Sequence, residues 1–287
     1  MALACALTVV ASGCSAPPAP DRPVIVVADY PLEYLATRIA PWAQIVDLTL
    51  PGAEPHDLEL TAGQMQSIAT ATIVVYQKGF QAAVDQAIAT TTPAVVVDVT
   101  KNVGMMPLTD AASSQLDPHI WLDPVRYQQM ATDMATAIAK AEPGRAAAVT
   151  SAHDALAADL TGLDGRFTAG LATCERQAFI TTHAAFGYLA QRYHLTQVAI
   201  DGIDPTSEPS AARLAEVQSL ARQYGVTTIF YETLVPRTVA DQVAHDLGLK
   251  TDVLDPIEGI TPDSPGTDYL SVMDANLTAL RTANGCS

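Results

Sequence analysis

Short runs of β-branched and aliphatic residues alternate along this chain with longer stretches of helical character. In the first half the runs that read as strands are Val24–Val27, Ile45–Leu50, Thr72–Tyr76 and Ala94–Val99. In the second half they are Ala178–Thr182, Gln197–Ile200, Thr227–Tyr231 and Thr251–Leu254. Strands that alternate with helices predict a parallel sheet covered by helices, and two such series predict an α/β chain of two similar lobes. Between them, residues 144–171 carry Val149, Leu156, Leu160, Leu163, Phe167 and Leu171 at helical spacing, with few residues that break a helix. At 1.5 Å per residue such a helix runs roughly 40 Å, long enough to span both lobes, and a connection of this kind resists wide hinge closure.

Open parallel sheets bind ligands in the crevice beyond the carboxyl ends of their strands, which directs attention to the polar residues there. His56 follows the second strand, His119 lies in the loop after the fourth, His183 follows the first strand of the second lobe, and Asp255 ends the last. Neutral imidazole and carboxylate are donors that four-coordinate zinc accepts, and two from each lobe place a metal between the lobes. Asp-Pro is also a common turn, and Glu258 and Asp252 lie within reach as alternatives to Asp255. His153 beside Asp154 on the long helix, His194 after a helix and His245 beside Asp246 lack the strand-end setting and are left out.

Two local motifs are distinctive. In Asp117-Pro118-His119-Ile120-Trp121-Leu122-Asp123-Pro124, two Asp-Pro steps force an extended, tight path before the next helix, with Asp123 as its cap. In Thr181-Thr182-His183-Ala184-Ala185-Phe186-Gly187-Tyr188, an apolar strand ends, the histidine follows and a helix begins. With Pro51-Gly52-Ala53-Glu54-Pro55-His56 and Leu254-Asp255-Pro256-Ile257, these resemble the zinc and manganese substrate-binding lipoproteins of bacterial ABC transporters.

The resemblance implies that His56, His119 and His183 supply nitrogen donors and Asp255 a carboxylate. The family's manganese members usually carry glutamate at the third position, so His183 favours zinc, with manganese as the alternative. Glu232, at the end of Ile229-Phe230-Tyr231-Glu232, resembles a strand-end acid of the family that either orients a ligand histidine or caps the next helix. Two features depart from the family pattern. The stretch Gly104–Leu116 contains no histidine where many zinc members have a histidine-rich loop, and Gln77-Lys78-Gly79-Phe80 stands where Asn-Gly-Leu is frequent.

The implied function is capture of one Zn²⁺ and its delivery to an ABC permease, by a monomer that a metallochaperone could load. Two other classes remain beside it. A secreted zinc hydrolase would need an open coordination position, and no H-E-x-x-H helix or nucleophile elbow appears. An adhesin would use the metal only to hold its fold.

Composition fits an exported globular protein, 49% hydrophobic and 16% charged. A net charge of −16 without a basic cluster excludes nucleic acid and an anionic membrane face as partners. The apolar run Ala2–Val10 is too short to span a membrane, and Ala11-Ser12-Gly13-Cys14 looks like a lipobox, which makes Cys14 the lipidated residue and the anchor the sole membrane contact. An ordinary cleaved secretory signal is the alternative. The proline-rich stretch that follows reads as a tether. With Cys5 in the leader and Cys14 lipidated, Cys174 and Cys286 most simply form a disulfide, although zinc ligation is a second use for them. The expected organisation is a leader with lipobox at 1–14, a tether at 15–23, lobes at 24–143 and 172–287, and the linking helix at 144–171, in an extracytoplasmic protein.

Overall fold

β1 (Val24–Val27) is wholly β-branched aliphatic, with all but its first side chain buried, as suits a strand with neighbours on both sides. It pairs in parallel with β2 (Gln44–Asp47) and β3 (Ile73–Tyr76), so that Ile25 lies opposite both Ile45 and Ile73. β4 (Val96–Asp98) adds to β3, giving the order β2-β1-β3-β4. The second half repeats the plan with β5 (Ala178–Thr181), β6 (Thr196–Ala199), β7 (Thr228–Tyr231) and β8 (Lys250–Val253) in the order β6-β5-β7-β8, again parallel. The computed structural model describes residues 22–108, 116–203, 205 and 209–287. The lipidation expected at Cys14, the leader and most of the tether lie outside the described residues.

Several strands end earlier than the sequence pattern suggests, and in β2 and β4 side-chain acceptors explain it. Asp47 Oδ1 accepts from the Thr49 amide, turning the chain out of the β2 ladder before Leu50. Asp98 Oδ1 accepts from the Thr100 amide and hydroxyl, closing β4. Such Asx turns offer the backbone an alternative to the ladder.

The first sheet is covered by α1 (Tyr30–Ile39), α2 (Ala62–Thr70), α3 (Ala82–Thr91) and α4 (Pro124–Ala141). The second carries α6 (Gly187–Arg192), α7 (Ala211–Tyr224) and α8 (Thr238–Leu247). Asp123 caps α4 as expected, accepting from the Val125 and Arg126 amides with Pro124 in the first turn. α5 (Ala146–Gly170) is the long helix between the sheets; its 25 residues span about 37 Å. Val149, Leu156, Leu160, Leu163 and Phe167 bury its apolar stripe against α4, α1 and α9 (Tyr269–Asn284).

One hydrophobic core runs from Ile25 and Leu35 through Tyr127 and Phe167 to Phe179, Phe230 and Tyr269, joining both sheets. A smaller cluster around Ile180, Val217 and Val243 lies beneath α7 and α8. Polar bonds stitch the halves together as well. Trp121 Nε1–H donates to the Pro256 carbonyl at 2.7 Å, and the Tyr269 hydroxyl donates to the Trp121 carbonyl at 2.6 Å. Arg192 meets both oxygens of Asp123 at 2.9 Å, so the residue that caps α4 also holds α6. The Tyr188 hydroxyl accepts from the Met106 amide and donates to the Asp117 carbonyl. Each such bond contributes about 1 kcal/mol net, but removing a partner from a buried group costs more.

Cys174 and Cys286 form a disulfide that fastens the end of α9 to the turn after α5, closing a loop with a sequence separation of 112. Replacing both cysteines by serine is expected to lower the unfolding free energy by about 2–4 kcal/mol, as for a long loop. A denaturant midpoint unchanged between the oxidised wild type and the variant would contradict it.

Candidate metal centre

Three of the strand-end residues arrive in one place. The ligand-capable atoms of His56, His119, His183 and Glu258 all lie within 4.8 Å of one another. Their Nε2 atoms converge on a single carboxylate oxygen, Glu258 Oε1, at 3.1 Å from His56, 3.0 Å from His119 and 3.7 Å from His183. His119, His183 and Glu258 are buried, while His56 retains slight access to solvent and packs edge-on against Phe80. The structure thus brings three of the four sequence candidates together with Glu258, while Asp255, the carboxylate put forward first, stands elsewhere.

Asp255 is buried, but it lies outside the cluster. Its Oδ1 accepts from the Ile257 amide at 2.7 Å, its Oδ2 from the Thr233 hydroxyl at 3.1 Å, and Asn276 clamps its main chain. Burial pushes its carboxyl up to about 6 against those bonds. The bond to Ile257 has a purpose, because Ile257 sits at φ 61, a left-handed conformation that a β-branched residue resists. Holding such a residue there costs on the order of 1–3 kcal/mol. The reversal it produces turns Glu258 into the cluster. The sequence signal for this was present in Asp255-Pro256-Ile257-Glu258, an Asx-turn former followed three residues later by an acid.

The two most buried imidazoles are oriented from behind. His119 Nδ1 lies 2.8 Å from Asp117 Oδ1, and the same oxygen accepts the His119 amide. His183 Nδ1 lies 2.7 Å from Glu232 Oε1, so Glu232 orients a histidine, the first of its two expected roles. A carboxylate at Nδ1 accepts the hydrogen bond of a neutral ring protonated there and leaves the Nε2 lone pair facing inward, as a metal requires. Asp117 was not singled out from sequence except as part of its motif. Gly187 makes its position available: a Cβ there would come within 2.8 Å of Asp117 Oδ2.

Electrostatics oppose leaving this site empty and deprotonated. Burial acts to lower His119, yet Asp117 and Glu258 outweigh it and raise the ring above its ordinary value. His183 is raised well above the ordinary value because Glu232 and Glu258 overcome the same burial. Burial acts to raise Glu258, but hydrogen bonds from the three imidazoles hold it well below the usual carboxylate range. His119 Nε2 and His183 Nε2 face each other at 3.4 Å, and a hydrogen bond between them requires one ring to present a lone pair. Glu258 Oε2 and Glu232 Oε2 are buried without hydrogen-bond partners. A cation among inward lone pairs and a carboxylate satisfies this donor set.

The other histidines serve elsewhere. His153 bonds to Thr132 and Asp154 beside α4, His194 occupies a turn at φ 57, and His245 is exposed beside Asp246. A cleft of about 400 Å³ reaches His56 past Gln77, Lys78, Phe80 and Met105, which gives the departing motif Gln77–Phe80 a place at the mouth of the cluster.

Two repeated parallel sheets, a bracing helix and three inward imidazoles with a carboxylate define a two-lobed binding protein built to take a divalent metal. The chain belongs to the family described as the zinc-uptake complex component A, periplasmic, whose model matches residues 25–283. It is 32% identical over 285 residues to the high-affinity zinc uptake system protein ZnuA of Bacillus subtilis, covering 91% of this chain and 87% of that one. It is 31% identical to the zinc-binding lipoprotein AdcA of Streptococcus pneumoniae, covering 98% of this chain but spanning only 59% of that longer protein. Among solved structures, the Zn(II)-bound ZnuA-like domain of Streptococcus pneumoniae AdcA superposes with a TM-score of 0.79 at 32% identity, covering 92% of this chain and 99% of that one. The laminin-binding protein of Streptococcus agalactiae, described as bifunctional with adhesin and metal-transporting activity, gives 0.84 at 26% identity, covering 92% and 99%.

Two outcomes follow from this geometry. Groups raised in the folded state bind more protons there than in the unfolded chain, so they add stability that is complete below the unfolded value and lost as pH rises through the folded one. His119 and His183 are of this kind, and so are Asp29 and Asp47, pushed by burial to about 7 and about 8. The metal-free protein is therefore expected to gain thermal stability as pH falls from about 8 to about 6.5, the unperturbed histidine value. Glu258 acts in the opposite direction only once pH falls below its unfolded value near 4.5. A melting temperature that falls over the upper window would contradict the assignment. The second concerns Gly187→Ala, which should displace Asp117, free the His119 ring and weaken divalent-metal affinity about 10–100-fold. Retention of wild-type affinity in calorimetric titration would show that Asp117 does not orient the ring.

Proposed function

We propose that this protein captures one Zn²⁺ outside the cytoplasmic membrane and delivers it to the ABC permease of a zinc importer, holding the ion with His56 Nε2, His119 Nε2, His183 Nε2 and the Glu258 carboxylate. The observation that carries this reading is the convergence of three buried or nearly buried imidazole nitrogens on one carboxylate oxygen. Family membership makes the chain a metal-binding solute-binding protein and not an enzyme. Three nitrogens and one carboxylate favour zinc over manganese, which prefers an oxygen-rich set. The zinc named for the Bacillus and Streptococcus relatives supports the same choice.

The Asp117, Glu232 and Glu258 carboxylates bear on uptake in two ways. The first two fix the tautomers of His119 and His183, and the third supplies negative charge that offsets the ion's loss of water. Because these carboxylates also favour the protonated imidazoles, metal entry expels protons, and acid favours release. The bracing by α5, Trp121, Tyr188 and Arg192 supports release by displacement of a ligand-bearing loop rather than wide rotation of the lobes. No helix among the described residues is long and apolar enough to cross a membrane. An extracytoplasmic place, Cys14 as a lipid anchor, a monomeric state and the division into leader, tether, two lobes and linking helix belong to the same reading, as does a metallochaperone as loading partner.

The test is a zinc titration of chelator-stripped protein from Ser15 onward, against manganese, in the wild type and in His183→Ala, Glu258→Gln and Asp255→Asn. One tight zinc equivalent is expected, not matched by manganese and weakened by at least about 10-fold in the first two variants. Asp255→Asn should retain zinc binding more nearly, with its loss showing in stability. Tight manganese binding that survives His183→Ala would overturn the cargo, and equal weakening by Asp255→Asn without loss of stability would return the fourth position to Asp255.

A further inference from the structure

A second cleft, of about 180 Å³, touches the metal cluster from another direction; Tyr30, Glu33, Asp47, Thr49, Glu258 and Ile260 are among its walls. It shares no described lining residue with the cleft at His56. We propose that this acidic cleft is a transit site for the hydrated divalent cation, through which zinc enters and leaves by way of Glu258; the inference rests on the zinc-capture reading above.

Glu258 belongs to both spaces. Its Oε1 takes the three imidazoles, whereas its Oε2 is buried and has no hydrogen-bond partner, although the residue lines the second cleft. An unpaired carboxylate oxygen out of contact with water is costly to keep. A cation passing from one oxygen to the other would satisfy it, and no covalent bond need change.

The charges of the two clefts differ in the same sense. Among the described residues the second is lined by Glu33, Asp47 and Glu258 with no lysine or arginine, whereas Lys78 stands in the wall of the first. Burial, then Asp29, pushes Asp47 up to about 8, so near neutral pH Asp47 offers the cleft oxygen atoms more than charge, and its charge is complete only above that pH. Carboxylate and hydroxyl oxygens hold a hydrated cation loosely, as transit requires, while imidazoles hold a dehydrated zinc ion firmly. At about 30 Å³ per water, the cleft has room for a cation that still carries several waters. Water can thus be shed in steps on the way to the buried cluster.

The experiment measures zinc loading of the stripped protein and chelator-driven zinc release by stopped flow. The wild type is compared with Glu33→Gln/Asp47→Asn and with Lys78→Glu. Asparagine keeps an acceptor for the Thr49 amide, and a matching far-ultraviolet spectrum and melting temperature establish that the double variant folds. Loading and release in the double variant are expected to slow together by about 10-fold, the low end of electrostatic effects on association, with far less change in equilibrium affinity. Lys78→Glu should leave both rates unchanged. Wild-type rates in the folded double variant, or faster loading in Lys78→Glu, would overturn the inference and assign exchange to the cleft at His56. A wild type that takes up no zinc equivalent overturns the proposed function itself, a result distinct from either of these.

Discussion

Three imidazole nitrogens facing one carboxylate oxygen in a space nearly closed to water set the constraint that the rest of this molecule obeys. A buried carboxylate is tolerated only with partners, and buried imidazoles next to carboxylates draw in either protons or a cation. Each donor comes from a different loop, and the loops belong to two sheets that share no strand. The cluster can therefore exist only if the two sheets hold a fixed distance. That requirement explains why one apolar core runs through both halves and why the long α5 lies against α1, α4 and α9 together. It explains as well why polar contacts between the halves gather near the site. Trp121 follows His119 by two residues and is bonded to Pro256, two residues before Glu258. Asp117 orients His119 while its carbonyl receives the Tyr188 hydroxyl from the second lobe.

The fold was legible because parallel strands buried on both faces leave near-continuous apolar runs, and Val24–Val27 and Ile73–Tyr76 need little context to be recognised. The long helix was legible from the spacing of Leu156, Leu160, Leu163 and Phe167, all of which are buried. Strand ends were less so, since Asp47 and Asp98 stop their ladders through their own side chains, and propensity alone does not register that. The histidines could be placed because β-strand ends in an open sheet all point one way. The carboxylate was harder. Asp255 is nearer the strand end, but a proline and a left-handed isoleucine reverse the chain after it. Which of two nearby acids turns inward then depends on a backbone conformation that composition does not encode.

Strain at Ile257 also bears on how a tightly held ion could leave. The residue before Glu258 is held in an unfavourable conformation by one Asp255 hydrogen bond, by burial and by the neighbouring Trp121–Pro256 bond. A segment of this kind has a lower-energy alternative as soon as its supports are loosened. The other three donors do not share this property: His119 and His183 are tied to carboxylates behind them, and His56 follows a turn fixed by Glu54. In the proposed shell Glu258 is thus the donor that can retreat with least disturbance to the lobes. Its retreat would remove the negative charge and leave three neutral imidazoles, a weaker set for a dication. Glu258 also lines the acidic cleft, so in the proposed reading the loop that completes the shell stands where the ion would depart. In the proposed reading, two braced lobes with one strained donor loop would let the ion exchange without a hinge.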